Sequence, residues 1–263
     1  MKDYLSQAEI QKRIDESLSL SIEVHDCLSS TNHRVRDAAK EGVAEGLVVI
    51  ADRQTEGYGR YGRPFFSPGG CGLYMSILLR PNECPNVALR ITTAAAVAVA
   101  EAIEEVTGRS CGIKWVNDLF LDGKKVSGIL TEGGINPETG RMDYTVLGIG
   151  VNVTTPSDGY DEVLRGVAGA ILAHSEHEVR NHLAATILQR FFHYYQDIMN
   201  RDLLVSYRRR LFFLGQTVRV LRMGREVCEG VALDIDEDFH LLVRYEDGLT
   251  EALSSGEISI QLT

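Results

Sequence analysis

The 263-residue sequence predicts an α+β protein with a large domain at residues 1–213 and a small all-β domain at 214–263. Two observations support this division. Strands of the large domain come in hairpin-like pairs more often than in strand–helix–strand units, which favours a mostly antiparallel or mixed sheet. After Leu214, short strands alternate with Met-Gly, Asp-Glu-Asp and Glu-Asp-Gly turns, a pattern typical of a small barrel or curved sheet.

Each element of the large domain has its own local signal. The polar SSTN stretch supplies good N-cap residues for a following helix, and Gly108 ends an alanine-rich helix. Apolar and β-branched runs mark the strands. Helices are predicted within 1–20 and at 32–41, 88–107, 176–200 and 202–212. Strands are predicted around Ile22 and Val24, at 46–53, at 71–81, across GIKWVN, on both sides of the Asp-Gly turn in DLFLDGKKVSGIL, and at 144–153.

Composition excludes several classes of function. The net charge of -10 argues against broad binding to nucleic acid, which requires clustered basic residues, although a local basic pocket remains compatible with it. Five scattered cysteines without a C-x-x-C pair fit a reducing cytosol. We find neither a signal peptide nor an apolar stretch long enough to span a membrane, so we expect a cytoplasmic protein without a membrane partner. Histidine spacing predicts no permanent metal site.

The segment EGYGRYGRPFFSPGG at 56–70 fits the pattern G-x-G-x-x-G. In a Rossmann fold the third glycine opens a helix, but Pro64 and Pro68 forbid a helix here. The kinase loop is excluded by Pro64, and a Walker lysine is absent. What remains is a loop in which glycines let the backbone approach an anion while Arg60 and Arg63 bind it. A surface loop with two solvated arginines is the alternative.

Other polar residues follow predicted strands. The small polar run Ser30-Thr31-Asn32 and the amide of Gln54 can line a pocket for a urea or amide group. Lysine after the Asp-Gly turn could face a phosphate or carboxylate, and Asn152 could be a buried polar group that needs a partner. The alternatives are ordinary turn chemistry for Asn117 and Asp118, a solvated hairpin end for Lys124 and Lys125, and a structural role for Asn152.

Taken in order, five motifs resemble the biotin–protein ligase family over nearly the whole chain. They are SSTN at 29–32, RQTEGYGRYGRPFFSP at 53–68, KWVNDL at 114–119 followed by Lys125 in KKVSGIL, GIGVNV at 148–153, and SSGEISI near the C-terminus. The resemblance implies a catalytic domain like that of class II aminoacyl-tRNA synthetases, followed by an SH3-like C-terminal domain.

The resemblance also implies a two-step reaction and assigns residues to it. Biotin and ATP, with Mg²⁺ carried by the ATP, would form biotinyl-5′-adenylate, and a lysine of a biotin carboxyl carrier domain would then take the biotin. The implied catalytic residues are Lys125, Arg60 and Asp118. The implied biotin-binding residues are Ser30, Thr31, Asn32, Gln54, Gly57, Tyr58, Gly59, Arg60 and Lys125. The implied nucleotide-binding residues are Arg60, Arg63, Phe65, Asn117, Lys125 and Asn152.

The sequence departs from the family pattern at three positions. Tyr58 stands where the family commonly has arginine, Phe65 replaces a tryptophan, and Val116 replaces a proline. The sequence does not place an adenine-stacking residue, since its one tryptophan is Trp115 in the KWVNDL motif.

Some expectations concern partners. Only about twenty residues precede the first predicted strand, so the resemblance is to a form without an N-terminal DNA-binding domain, and we expect no nucleic-acid role. A homodimer is compatible with the family. The alternative functions are a lipoate–protein ligase, whose R-R-x-x-G-G motif is not found, and a non-catalytic biotin-sensing protein.

Overall fold

The computed structural model describes residues 3–174, 178–222, 225–254 and 257–260. Its helices are α1 (Gln7–Gln11), α2 (Thr31–Lys40), α3 (Val87–Thr107), α4 (Val179–Gln196) and α5 (Arg201–Arg208). The first seven strands are β1 (Ser21–Leu28), β2 (Leu47–Gln54), β3 (Gly72–Leu79), β4 (Gly112–Lys114), β5 (Asp118–Leu121), β6 (Lys124–Ile135) and β7 (Met142–Asn152). The last five are β8 (Thr217–Arg222), β9 (Arg225–Ile235), β10 (Leu241–Tyr245), β11 (Thr250–Leu253) and β12 (Glu257–Ile260).

Seven strands form one mixed sheet in the order β1-β2-β3-β7-β6-β5-β4. Only the β1–β2 pair is parallel among these neighbours, so the prediction of a mixed, mostly antiparallel sheet is confirmed. Strand β2 is apolar on both faces because both are covered: Val48 and Ile50 belong to the main core, which contains most of α3, and Val49 packs with residues of α2. The sheet therefore has an α3 face and an α2 face.

Helix α3 follows its prediction closely. Gly108 has a φ of 70° and ends the helix in the left-handed region, as the sequence indicated. The helix buries many alanines, such as Ala94 and Ala98, against α4 and the sheet. Small side chains let the two helices approach closely, which explains the alanine-rich composition.

Three predicted elements differ in extent. The strand predicted across GIKWVN ends at Lys114, because Lys114 pairs with Asp118 and residues 115–117 must form the hairpin connection between β4 and β5. The helix predicted at 202–212 ends at Arg208. The helix predicted at 176–200 is observed from Val179, and residues 175–177 lie outside the described part of the chain.

The C-terminal strands form a separate antiparallel sheet in the order β11-β10-β9-β8-β12, which confirms a small all-β unit. Within the predicted closing strand SSGEISI, residues 255 and 256 lie outside the described residues, as do 261–263. The boundary after residue 213 stays a prediction. None of the helices in the described ranges has both the length and the apolar character needed to cross a membrane.

Candidate active site

A cavity of about 320 Å³ collects most of the sequence-predicted residues. Its volume is within the range usual for small-molecule sites. The predicted site residues that line it are Ser30, Thr31, Asn32, Gln54, Tyr58, Gly59, Arg60, Arg63, Phe65, Asn117, Asp118 and Lys125. Gly57 and Asn152 are outside this lining set.

One end of the cavity is built from the start of α2. The N-cap residue is Ser30, one of the SSTN residues that the sequence indicates for this position, although its side chain makes no capping bond. The reason is that Gln54, at the end of β2, takes over: its Oε1 accepts from the backbone N–H of Thr31 at 2.8 Å and from the Thr31 hydroxyl at 3.1 Å. The buried Ser30 hydroxyl is thereby left available at the cavity wall.

Ser76 completes this polar end and was not singled out from the sequence. Its fully buried hydroxyl lies 2.7 Å from Thr31 Oγ1 and 2.6 Å from Asn32 Oδ1. The signal was a lone hydroxyl inside the apolar run GLYMSILL. Because buried polar groups need partners, this network fixes Thr31 and Asn32 in one orientation.

The glycine loop folds into a small hairpin. The N–H of Gly59 donates to Arg63 O, and the N–H of Phe65 donates to Gly57 O, both at 2.8 Å. Gly62 opens no helix, since Arg63 is extended, and this part of the prediction is confirmed. A side chain at Gly57 would approach within 2.5 Å of Ser67 Oγ, so its glycine serves the close packing of the hairpin base.

Phe65 lies directly on the sheet. A Cβ at Gly150 would be 2.5 Å from the Phe65 ring, so the second glycine of the GIGVN motif leaves room for this ring. The ring also meets Tyr74 edge-on, with centroids 6.4 Å apart. A Cβ at Gly128 would be 3.3 Å from both the Phe65 ring and the Lys125 side chain, so Phe65 forms an apolar wall next to the cationic end of the cavity.

Tyr58 ties the loop to the body of the protein. Its hydroxyl donates to Glu132 Oε2 at 2.7 Å and accepts from the Arg36 guanidinium at 2.5 Å. Glu132 Oε2 also accepts from Asn32 Nδ2 at 2.9 Å and from Arg36 at 2.8 Å. The ring packs on His33, with centroids 5.1 Å apart. A neutral phenol thus links the loop, α2 and β6 at one of the positions where the sequence departs from the family pattern.

Burial, followed by the neighbouring Glu132 carboxylate, raises the pKa of Tyr58 from 10 to about 12. A pKa raised by folding means that the protonated phenol stabilises the folded protein at low and neutral pH. This contribution is complete below pH 10 and is lost as the pH rises towards about 12.

Replacing Tyr58 by phenylalanine is expected to loosen the loop without unfolding the protein, because Glu132 keeps Arg36 and Asn32 as partners. Loss of the phenol should cost about 1 kcal/mol of loop anchoring, or a roughly five-fold higher open population. Trypsin cleavage after Arg60 measures this population. The control Tyr61→Phe removes only the phenol that contacts the adjacent Arg60, and equal cleavage of both variants would contradict the anchoring role.

The other end of the cavity is cationic. Arg60 donates to Asn117 Oδ1 at 3.1 Å, and the amide nitrogen of Asn117 donates to Ile129 O at 2.8 Å. Lys125 Nζ lies 2.7 Å from Asp118 Oδ1. Among the described lining residues, the cations are Arg60, Arg63, Lys114 and Lys125, and the one carboxylate is Asp118.

Tyr61 is a further loop residue that the sequence did not single out. Its ring centroid lies 5.3 Å from the Arg60 guanidinium carbon and 6.0 Å from that of Arg63. Tyr61 has a φ of 58°, which turns the loop so that both guanidinium groups approach the same ring. The chain therefore concentrates positive charge at this end of the cavity despite its net charge of -10.

Asn152 lies outside the cavity lining and contacts a segment that contributes to it. Its side-chain amide nitrogen donates to Gly169 O at 3.0 Å, and its backbone carbonyl accepts from the N–H of Ile171. Both partners belong to the segment 164–171, which also pairs with Lys125: the Lys125 N–H donates to Val167 O at 2.8 Å. Leu164 and Val167 of this segment line the cavity. Asn152 thus holds the segment that covers the cationic end.

Comparisons with known proteins agree with this geometry. The family model described as "Biotin/lipoate A/B protein ligase family" matches residues 24–152, and "Biotin protein ligase C terminal domain" matches 213–260. The chain is 32% identical over 256 residues to the "Bifunctional ligase/repressor BirA" of Bacillus subtilis. This alignment covers 95% of this chain and 78% of that protein. It is 29% identical over 238 residues to "Biotin--[acetyl-CoA-carboxylase] ligase" of Mycobacterium tuberculosis, covering 87% and 85% respectively.

A solved structure gives the same result for the fold. The biotin protein ligase of Aquifex aeolicus in complex with biotin and ATP superposes with a TM-score of 0.75 at 27% identity, covering 92% of this chain and 99% of that one. The sequence, the two-sheet fold and the lined cavity all point to one class of enzyme. The chain belongs to the biotin protein ligase family.

Proposed function

We propose that this enzyme, an ATP-dependent biotin–protein ligase, carries out both steps of its reaction in the cavity on the α2 face of the sheet. One observation carries the assignment of roles. A single cavity of about 320 Å³ has neutral hydrogen-bonding groups at one end and four cations at the other, where the Phe65 ring adjoins Lys125. This matches a ligand with a ureido head, an apolar middle and a carboxylate that must meet a phosphate.

The polar end would bind the ureido group. Ser30, Thr31 and Asn32 offer hydroxyl and amide groups that Ser76 and Gln54 hold in place. Such preorganised groups discriminate strongly against a ligand without matching polar atoms, because buried donors would then be left unpaired. This end therefore favours biotin over lipoate, whose ring carries no urea.

The cationic end would perform the first step. The biotin carboxylate attacks the α-phosphorus of ATP, the bond to the β-phosphate oxygen breaks, and pyrophosphate leaves. Lys125 would contact both the carboxylate and the α-phosphate, since two anions must come together. Arg60 and Arg63 would hold phosphate oxygens bidentately. Mg²⁺ would enter with ATP as part of the substrate complex.

The second step would use the same contacts. The amine of a lysine on a biotin carboxyl carrier domain attacks the acyl carbon, and AMP leaves with the electrons of the broken acyl–oxygen bond. Asp118, whose Oδ1 lies 2.7 Å from Lys125 Nζ, would orient Lys125 and accept a proton from the incoming amine. The loop hairpin, held by Tyr58, would exclude water from the mixed anhydride.

The purified chain with biotin and Mg·ATP is expected to release pyrophosphate and then to transfer labelled biotin to a carrier domain. Omitting biotin should abolish the release, and lipoate should not replace it. Binding of biotin without release of pyrophosphate would identify a biotin-sensing protein instead. Equal release with lipoate would contradict the role of the polar end.

A further inference from the structure

A turn of the C-terminal domain inserts an aromatic side chain beneath the nucleotide end of the site. Residues 236–240 connect β9 to β10, and within this turn Phe239 is fully buried. Its φ is 65°, a left-handed conformation that glycine or asparagine adopts far more readily than phenylalanine. A bulky residue persists in such a conformation only when its surroundings hold it there.

The surroundings of Phe239 belong to the catalytic domain. Its ring meets Tyr207 edge-on, with centroids 5.6 Å apart, and the Arg90 guanidinium carbon lies 5.4 Å from its centroid. Arg90 also donates to Glu237 O at 2.8 Å. Within the turn, Asp236 Oδ1 accepts from the N–H of His240 at 2.8 Å. A hydrogen bond within the turn and contacts from the catalytic domain therefore both stabilise its conformation.

Two hydrogen bonds connect this turn to the KWVNDL motif. The indole N–H of Trp115 donates to Phe239 O at 2.9 Å, and the Tyr207 hydroxyl donates to Val116 O at 3.0 Å. Complete burial, followed by the nearby Asp118 charge, raises the pKa of Tyr207 well above its ordinary value, so this phenol remains a donor. Trp115 therefore binds Phe239, and Val116 binds Tyr207, which packs on the Phe239 ring.

The next two residues of the motif hold the cations of the site. Asn117 binds Arg60, and Asp118 pairs with Lys125. A second cavity of about 450 Å³ runs alongside: Asp238 and His240 of the turn bound it, and it reaches Arg60 and Asn117. A continuous series of hydrogen bonds and covalent neighbours therefore connects the C-terminal turn to Arg60 and Lys125.

We propose that the Phe239 turn is a positioning element for the nucleotide end of the active site. It fixes Trp115 and Val116, and through Asn117 and Asp118 it sets the placement of Arg60 and Lys125. The C-terminal domain thereby contributes to ATP binding by fixing the backbone conformation of the KWVNDL motif. This inference rests on the proposed function for the identity of the nucleotide, and its test uses binding and fluorescence rather than turnover.

The variant Phe239→Gly provides the sharpest test, because glycine accepts the positive φ and retains the turn while the ring is lost. We expect the Kd for Mg·ATP, measured by calorimetry, to rise about 2- to 30-fold. Trp115 is the only tryptophan in the chain, is 3% exposed and donates to the backbone oxygen of Phe239, so its emission reports whether loss of the ring displaces the turn from the motif. The emission should shift to the red and become more accessible to acrylamide.

Leu241→Ala is the matched control, since Leu241 is fully buried in the adjacent strand β10. It should lower the melting temperature while leaving the Trp115 emission and the ATP affinity of the folded protein unchanged. Unchanged ATP affinity in Phe239→Gly would overturn the proposal, as would an equal loss of affinity in Leu241→Ala. Absence of pyrophosphate release from the wild type would instead overturn the proposed function.

Discussion

Replacing Lys125 by alanine is expected to slow formation of the adenylate by roughly 100- to 1,000-fold, the usual cost of removing one group that stabilises charge in a transition state. Lys125 is the cation beside Asp118, where the carboxylate and the α-phosphate would meet. Its ion pair is partly exposed and contributes about 1 kcal/mol or less to stability, so the fold should survive.

The neighbouring lysine supplies the control for this prediction. Lys124 is exposed and lies outside the lining of the cavity, so Lys124→Ala removes the same charge from the same strand start. Pyrophosphate release measured for both variants should fall only for Lys125→Ala, with circular dichroism showing that both are folded. A wild-type rate in Lys125→Ala would refute the assigned role.

Replacing Arg60 by glycine is expected to release the adenylate from the protein. Arg60 contacts Asn117 and the Tyr61 ring and lines the cavity, where its guanidinium would contact the phosphate of the adenylate. Loss of a charge-assisted bond worth about 1.5–3 kcal/mol should shorten retention roughly 10- to 100-fold. Rapid filtration of labelled adenylate, together with biotinylation of a bystander protein, measures the escape.

Two further variants separate the possible causes of that escape. Arg60→Ala removes the guanidinium without adding the backbone freedom of glycine, and it should release the adenylate about as fast. Arg60→Lys keeps a charge without the planar fork, and it should be intermediate. Retention by Arg60→Ala at the wild-type level would mean that loop freedom, and not the guanidinium, controls escape.

The sequence was informative where chemistry is local. Two prolines after GYGRYGR were enough to exclude a helix, and the structure has an extended residue at Arg63. Hairpin-like spacing predicted the mixed sheet, and Gly108 marked the end of α3 correctly. These features depend on a few consecutive residues, so their physics can be read without knowing what packs against them.

Long-range partners could not be predicted in the same way. Glu132 is separated by 74 residues from Tyr58 and by 100 from Asn32, and a single acid in a strand looks like a solvent-facing residue. Phe239 lies in a turn whose acidic neighbours predict exposure, yet its ring is buried against Tyr207. In each case the determining contact belongs to another part of the chain.

The structural role of Gly150 is a third such case. The motif GIGVNV is recognisable in the sequence, but the physical reason for its second glycine is the ring of Phe65, which comes from a different part of the chain. Asn152 is similar: its predicted contact with the nucleotide stays a prediction, while its amide holds the segment at Gly169. Spacing identified the residues, and tertiary packing explains them.

A crystal structure of the chain with biotinyl-5′-adenylate would test the roles proposed for the two ends of the cavity. We expect the ureido group among Ser30, Thr31 and Asn32, with Lys125 Nζ and the Arg60 guanidinium both within hydrogen-bond distance of the phosphate. A phosphate bound elsewhere, out of hydrogen-bond reach of both Lys125 and Arg60, would contradict these roles.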